Sequence, residues 1–491
     1  MRRASFPLFL LLFIVALPLH AQDNTTLRVG HYFLTADFDP HGQGNRPELI
    51  YYEPVFDALL TLDAEGNLLP NLATEWTTTP ESMTFTLRAD VVFSDGTPFD
   101  AETAAANLNR ARTEGSSLVR EDLSAIDDIE VVDEVTIRLL LNRDDPFLLR
   151  RLAGFAGMMI SPGTFETAGQ MPVGTGPFML DREASVFGSL ITYVRNPLYR
   201  DPDAITLEVI EYRIGNPVDG ANALLGGEYD LVILPARLTA LLGGEDVNIR
   251  VVDTSIYAVN ILDREGTLVP ELGNQDVRCA LSHAVDREAY AQVTGGAALR
   301  PLDTITPPGW YGHAGDAVTY PYDPERAREL LASAGVTNLT IPSVTSPALQ
   351  TRHEAVTGFF TTLGITIDTA VTTDATVVAE FYGGDYALIE FNANPEHFSL
   401  FVQEYILADG PFNAFGAVDE DIEALAAEAL ALPLDEAEPL WQEISRLVNE
   451  RCYFIPLGVG GLAIVSQPYV EAETRFRSNG FLYLRNAELN R

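Results

Sequence analysis

His353-Glu354 is the nearest approach to a metalloprotease motif in this 491-residue chain, and the second histidine of that motif is missing. No Gly-x-Ser-x-Gly elbow occurs. With 70 Asp and Glu residues, some carboxylate pair will always be found, so none marks a glycosidase. Pro172-Val173-Gly174-Thr175-Gly176-Pro177-Phe178 has the look of a phosphate loop but lacks its lysine and the following hydroxyl residue. The two cysteines, Cys279 and Cys452, have no nearby histidine pair to complete a metal site. No catalytic residue, metal ligand or cofactor is therefore expected, and a secreted hydrolase is the weakest reading.

These residues must be positioned by alternating strands and helices, which points to an α/β architecture. Leu27-Arg28-Val29-Gly30-His31-Tyr32 reads as an opening strand, and Met83, Phe85 and Leu87 alternate with polar residues. Asp100 is placed to cap a helix from Ala101. Ile129–Asp133 and Val135–Leu139 form a hairpin pattern, and Gly226-Gly227 closes a helix before the apolar run Leu231-Val232-Ile233. Asp323-Pro324 opens a helix that Gly335 stops. The stretch from Val277 to Tyr290 reads as one helix, with Val277, Leu281, Ala284, Val285 and Glu288 on one face and Cys279 turned away. Cys279 is thus packed against a second neighbour, bonded to Cys452, or free. Trp76 reads as core.

The chain is too long for one core, so two or three packed units are expected. Its net charge is -39, and all 31 basic side chains are arginine. Phosphate binding needs a basic surface, so nucleic acid is a poor partner. The N-terminus carries Arg2-Arg3, an apolar stretch Phe6–Leu19 and then Ala21, the pattern of a secretory signal peptide over 1–21. No cysteine follows that stretch, so no lipid anchor is expected and the chain should be periplasmic or extracellular.

The order of several segments resembles a known family. Glu53 to Arg110 contains an apolar run, an Asp-x-x-Gly-Asn turn, Leu72-Ala73-x-x-Trp76, and Phe93-Ser94-Asp95-Gly96-Thr97-Pro98 before a capped helix. Val173–Phe178, Arg195-Asn196-Pro197-x-Tyr199, Tyr257-Ala258-Val259-Asn260, Asp276–Arg287 and Tyr322–Ala327 follow in order. The chain resembles the extracytoplasmic solute-binding proteins of family 5, which serve peptide, dipeptide and nickel importers of the ATP-binding-cassette type. The resemblance implies a two-lobed periplasmic-binding-protein type II clamshell with an additional subdomain. Lobe I would take 22–46, 173–257 and 466–491, the additional domain 47–172, and lobe II 258–465, with chain crossings near Tyr257 and Gly460-Gly461. It implies a monomer that closes on a small solute, a peptide first, and delivers it to a membrane permease. A sensor of the same fold is the alternative.

The implied ligand contacts are Tyr32, Phe33 and Asp37 after the first strand, Tyr257 and Asn260 on the crossing strand, and Glu390, Phe391, Asn392 and Asn394 in lobe II. In the peptide-binding members an Asp shortly after a Trp in that last region holds the ligand's ammonium. Here Phe391 stands for the Trp, and Asn392 and Asn394 are not acids. Glu390 or Glu396 would have to substitute, and a sugar, a modified peptide or a metal chelate stays open as cargo.

Overall fold

The computed structural model describes residues 24–32, 37–43, 49–63, 67–145, 147–244, 246–294, 299–315, 317–373, 376–393, 398–432, 434–475 and 481–491. The signal segment, Phe33, Asn394 and Glu396 lie outside them. An 11-stranded sheet runs through the molecule. Its main strands are β1 (Thr26–His31), β2 (Phe178–Leu180), β3 (Leu190–Arg195), β4 (Val209–Ile214), β5 (Leu231–Pro235), β6 (Asn248–Ile261), β7 (Thr340–Thr345), β8 (Thr366–Val371), β9 (Leu388–Ala393) and β10 (Phe454–Ser466). Their spatial order is β8–β7–β9–β6–β10–β5–β1–β4–β3–β2. β1 lies parallel to β4 and β5, and β7 parallel to β8 and β9, the arrangement that helical crossovers produce.

β6 and β10 are long, antiparallel to each other, and shared among several apolar cores. Val252 and Ile464 belong to the core built on β1, β3 and β4. Ile256 and Ala258 belong to a second core with Phe391, Phe401 and Trp441, and Val259 and Ile261 to a third with Leu281, Tyr290 and Phe360. The pairing slips between Asp253 and Ser255 and again between Tyr257 and Ala258. Gly458, Gly460 and Gly461 stand opposite the slips. A Cβ on Gly461 would lie 1.7 Å from the Val252 carbonyl oxygen, so only glycine lets the strands approach there.

A separate four-stranded sheet, Ala73–Thr79, Ser82–Leu87, Thr136–Leu141 and Ile126–Asp133 in space, packs with α1 (Ala101–Glu114). Asp100 caps α1 through a reciprocal box with Thr103. The apolar side chains of this unit run without a break into those under β1, β3 and β4. Trp76 is only half-buried, packing on that core from a strand that is largely exposed beyond Ala73. Asp57 joins the pieces: its Oδ1 accepts from Arg485 at 2.5 Å, and Oδ2 from Arg200 and from Thr175 at 3.2 Å. Its carboxylate is fully buried. Burial alone would raise its pKa, but Arg485 and Arg200 outweigh that and hold it below the usual range.

The stretch read as one helix from Val277 to Tyr290 is two, α2 (Gln275–Ala284) and α3 (Arg287–Thr294). The break at Val285 lets Asp286 accept from the Ala289 amide at 3.0 Å and frees Arg287 to reach the Pro456 and Tyr320 carbonyls at 2.7 and 2.8 Å. Glu288 consequently leaves the apolar face and is exposed. Cys279 on α2 is bonded to Cys452, with Cα atoms 5.3 Å apart, and this ties α2 to the residues that enter β10. Arg278 and Arg264 also satisfy carbonyls there, Arg278 at Leu272 (2.8 Å) and Arg451 (3.0 Å), Arg264 at Tyr405. The planar, many-donor guanidinium suits this task in a chain without lysine.

Candidate ligand-binding site

Strand alternation sorts the residues expected at the site. Tyr257 is opposite Asn392, and Val259 opposite Glu390, so these side chains share one face of the β6–β9 pair. Asn260 is opposite Ile389 and, with Phe391, points to the other face. Phe391 is buried there against Tyr405 and Phe454, with ring centroids 5.4 and 6.0 Å away, so it builds core and does not join Tyr257. Asn260 is fully buried, and neither its amide nitrogen nor its oxygen has a hydrogen-bond partner among the described residues.

On the first face α4 (Gln350–Thr361) brings Arg352 over the strands. Its guanidinium carbon lies 5.1 Å from the Tyr257 ring centroid, a cation–π contact. Its Nη1 donates to Asn392 Oδ1 at 3.2 Å, and its Nη2 is 3.5 Å from Glu390 Oε2. The Tyr290 hydroxyl of α3 donates to Glu390 Oε1 at 3.1 Å. Glu390 is 1% exposed, whereas Arg352 keeps part of its side chain at the surface and Asn392 is exposed. Burial pushes the Glu390 carboxyl up, and Arg352 and Tyr290 pull it only part of the way back. Burial and the nearby Glu390 likewise raise the Tyr290 hydroxyl. Glu390 is therefore no open acid awaiting an ammonium; it is committed to Arg352.

Further polar groups underlie this face. Ser343 and Thr345 on β7 are buried with hydroxyls that have no partner among the described residues. His353 Nε2 is 2.9 Å from the Thr369 hydroxyl, and burial lowers its pKa to about 4, so the ring is neutral at pH 7. Among the described residues no cluster of His, Cys, Asp and Glu could hold a metal ion.

Tyr32 directly follows β1. Burial raises its hydroxyl's pKa, and both Arg237, just after β5, and Tyr257 lie close enough to act on it electrostatically. Tyr32 is thus within electrostatic reach of Arg237 and of Tyr257, and Tyr257 in turn carries Arg352, which holds Asn392. Asp37 turns elsewhere: it accepts from the Asp39 amide at 2.7 Å, lies against Gly169, and its carbonyl takes the Tyr52 hydroxyl. Arg352, Tyr290 and Arg237 were not singled out from the sequence. Arg352 is next to the His353-Glu354 pair considered for metal chemistry, but no local pattern announces an arginine that only packing brings to a strand face.

Residues 67–400 match the family described as bacterial extracellular solute-binding proteins, family 5, middle region. The chain belongs to this family. A glutathione-binding protein, GsiB, of Escherichia coli O6:K15:H31 is 30% identical over 328 residues, a match spanning 65% of this chain and 62% of that protein. The match thus covers less than two thirds of that relative. HbpA2 from Haemophilus parasuis superposes with a TM-score of 0.81 at 19% identity, covering 94% of this chain and 99% of that one. NikA from Brucella suis, solved with Fe(III)-EDTA, has a TM-score of 0.80 at 21% identity over 94% of this chain and 99% of its own. The fold of this family 5 member is that of the periplasmic binding proteins. Among the described residues no helix is long and apolar enough to cross a membrane.

Proposed function

We propose that this family 5 protein is the extracytoplasmic solute-binding subunit of an ATP-binding-cassette importer, and that it captures a small carboxylate-bearing solute, a peptide first. One observation carries the reading: Tyr32, next to β1, is within electrostatic reach of Arg237, just after β5, and of Tyr257 on β6, with Arg352 resting on the Tyr257 ring. A ligand touching this cluster contacts both halves. Two arginines there, in a chain of net charge -39, favour an anionic group, since a guanidinium binds carboxylate through paired N–H donors. Glutathione, which GsiB is named for binding, and the Fe(III)-EDTA of the structural neighbour NikA both carry carboxylates.

The division into lobe I (22–46, 173–257, 466–491), an additional domain (47–172) and lobe II (258–465) belongs to this proposal, as does removal of the signal peptide over 1–21. Asp253–Ser255 and Gly458–Gly461, where pairing slips and no side chain of β6 joins either core, are the bending segments. Ligand contacts to both halves favour the closed form, and a full reversal from 1:99 to 99:1 needs about 5.5 kcal/mol of differential affinity. The closed protein then docks on the permease, and no covalent step is involved. Native mass spectrometry of the exported protein should show a carboxylate-bearing small molecule, and Arg352→Met should lose it. Retention of the same molecule by Arg352→Met, or recovery of a neutral sugar alone, would refute the carboxylate reading.

A further inference from the structure

Glu390 is a buried acid that shares its cation with the ligand site. Its Oε1 takes the Tyr290 hydroxyl, while Oε2 has no hydrogen-bond partner among the described residues and only the 3.5 Å ion pair to Arg352. The groups presented by the elements around it are few. α3 brings Tyr290, α4 brings Arg352 and the neutral His353, and β6 brings Tyr257. β7 and β8 bring the hydroxyls of Ser343, Thr345 and Thr369. Among the described residues Arg352 is the cation that acts on the Glu390 carboxylate.

Arg352 has other partners. It donates to the exposed Asn392 and lies on the half-buried Tyr257, and its own side chain is 17% exposed. A ligand carboxylate that engages Arg352 competes directly with Glu390. A buried carboxylate whose cation is drawn away is poorly solvated, and the least costly response is to bind a proton.

We propose that capture of a carboxylate ligand at Arg352 is coupled to uptake of one proton by Glu390. The proton comes from solvent and adds to the Glu390 carboxylate, the ligand stays ionised, and no covalent bond to it forms. Affinity then rises as pH falls, by up to about tenfold per pH unit between the Glu390 pKa of the free protein and its higher value in the complex. Burial already holds that carboxyl above the ordinary range before any ligand arrives, which places the window above that range. Glu390 acts here as a positioning residue: it holds Arg352 in place and adds a pH dependence that a purely structural ion pair would not.

The inference rests on the carboxylate reading of Arg352, and two experiments separate their failures. The first needs no ligand. Potentiometric difference titration of wild type against Arg352→Met, from roughly pH 4 to 9, should show a window above the ordinary carboxylate range in which the variant holds up to about one extra proton. The difference should vanish when both proteins also carry Glu390→Gln. Arg352→Gln serves as a second variant should the Met protein not fold by circular dichroism. No difference in bound protons overturns the coupling. The second is calorimetry of glutathione and trialanine binding in phosphate and in Tris, where buffer-dependent heats report the proton taken up. Binding with equal heats overturns the proposal. Failure of both peptides to bind counts against the carboxylate reading, while the titration still decides the coupling.

Discussion

Asp57 and Glu390 are both buried carboxylates beside arginines, and the structure treats them in opposite ways. Asp57 has Arg200, Arg485 and the Thr175 hydroxyl on its two oxygens, and its pKa is held down. Glu390 has one arginine at 3.5 Å and one hydroxyl, and its pKa is pushed up. The first arrangement compensates the lost hydration on every side, so it can knit Arg485 of the last strand to the first third of the chain. The second leaves the charge under-compensated next to a surface arginine. Complete satisfaction marks a structural joint; incomplete satisfaction marks a group whose balance a ligand can tip.

The largest test of that contrast is Asp57→Asn, which takes the carboxylate from Arg200 and leaves Arg485 only its ion pair with Glu53. The expected cost is about 3–5 kcal/mol in urea unfolding, as for breaking other buried ion pairs. A loss below about 1 kcal/mol would mean that Asp57 is no joint. Replacing both Cys279 and Cys452 by serine removes a link between residues 173 positions apart and should cost about 2–5 kcal/mol, with ligand affinity preserved in the folded protein. Lost affinity at full folding would extend the functional region to α2.

Tyr257→Ala should weaken binding by about 0.5–2 kcal/mol through loss of the ring under Arg352, with little change in melting temperature. Unchanged affinity, read by calorimetry, would remove Tyr257 from the site. The smallest effect is in the pH profile of stability. The folded pKa of Glu390 is raised, so its contribution favours folding at low pH and is lost as pH rises through the window above its ordinary value. That of Asp57 is lowered, so its contribution is present above the ordinary carboxylate range and is lost as pH falls through the folded value. Glu390→Gln should therefore flatten the melting-temperature profile above the ordinary carboxylate range, and Asp57→Asn below it. Swapped sides would refute the comparison.

Much of the architecture was legible in residue order. The Asp100 cap, the Asp323-Pro324 helix start, the Gly335 stop and the hairpin after Ile126 are local events, set by side chains within a few positions of the backbone they act on. The helix break at Val285 was less legible, because it depends on Arg287 finding the Pro456 carbonyl 169 residues away.

The sequence by itself determined the alternation of strands and helices, the exclusion of enzyme motifs and the family resemblance, because each depends on residue type and short spacing. Only the tertiary structure decided which face each strand residue occupies relative to its neighbours. Register put Phe391 and Asn260 on the far side and set Glu390 and Asn392 beside Tyr257. It also decided that Arg352, nearly a hundred positions from Tyr257, lies on its ring. An ion pair or a stacked arginine is a fact about distance in space, and distance in space follows from packing rather than from order along the chain.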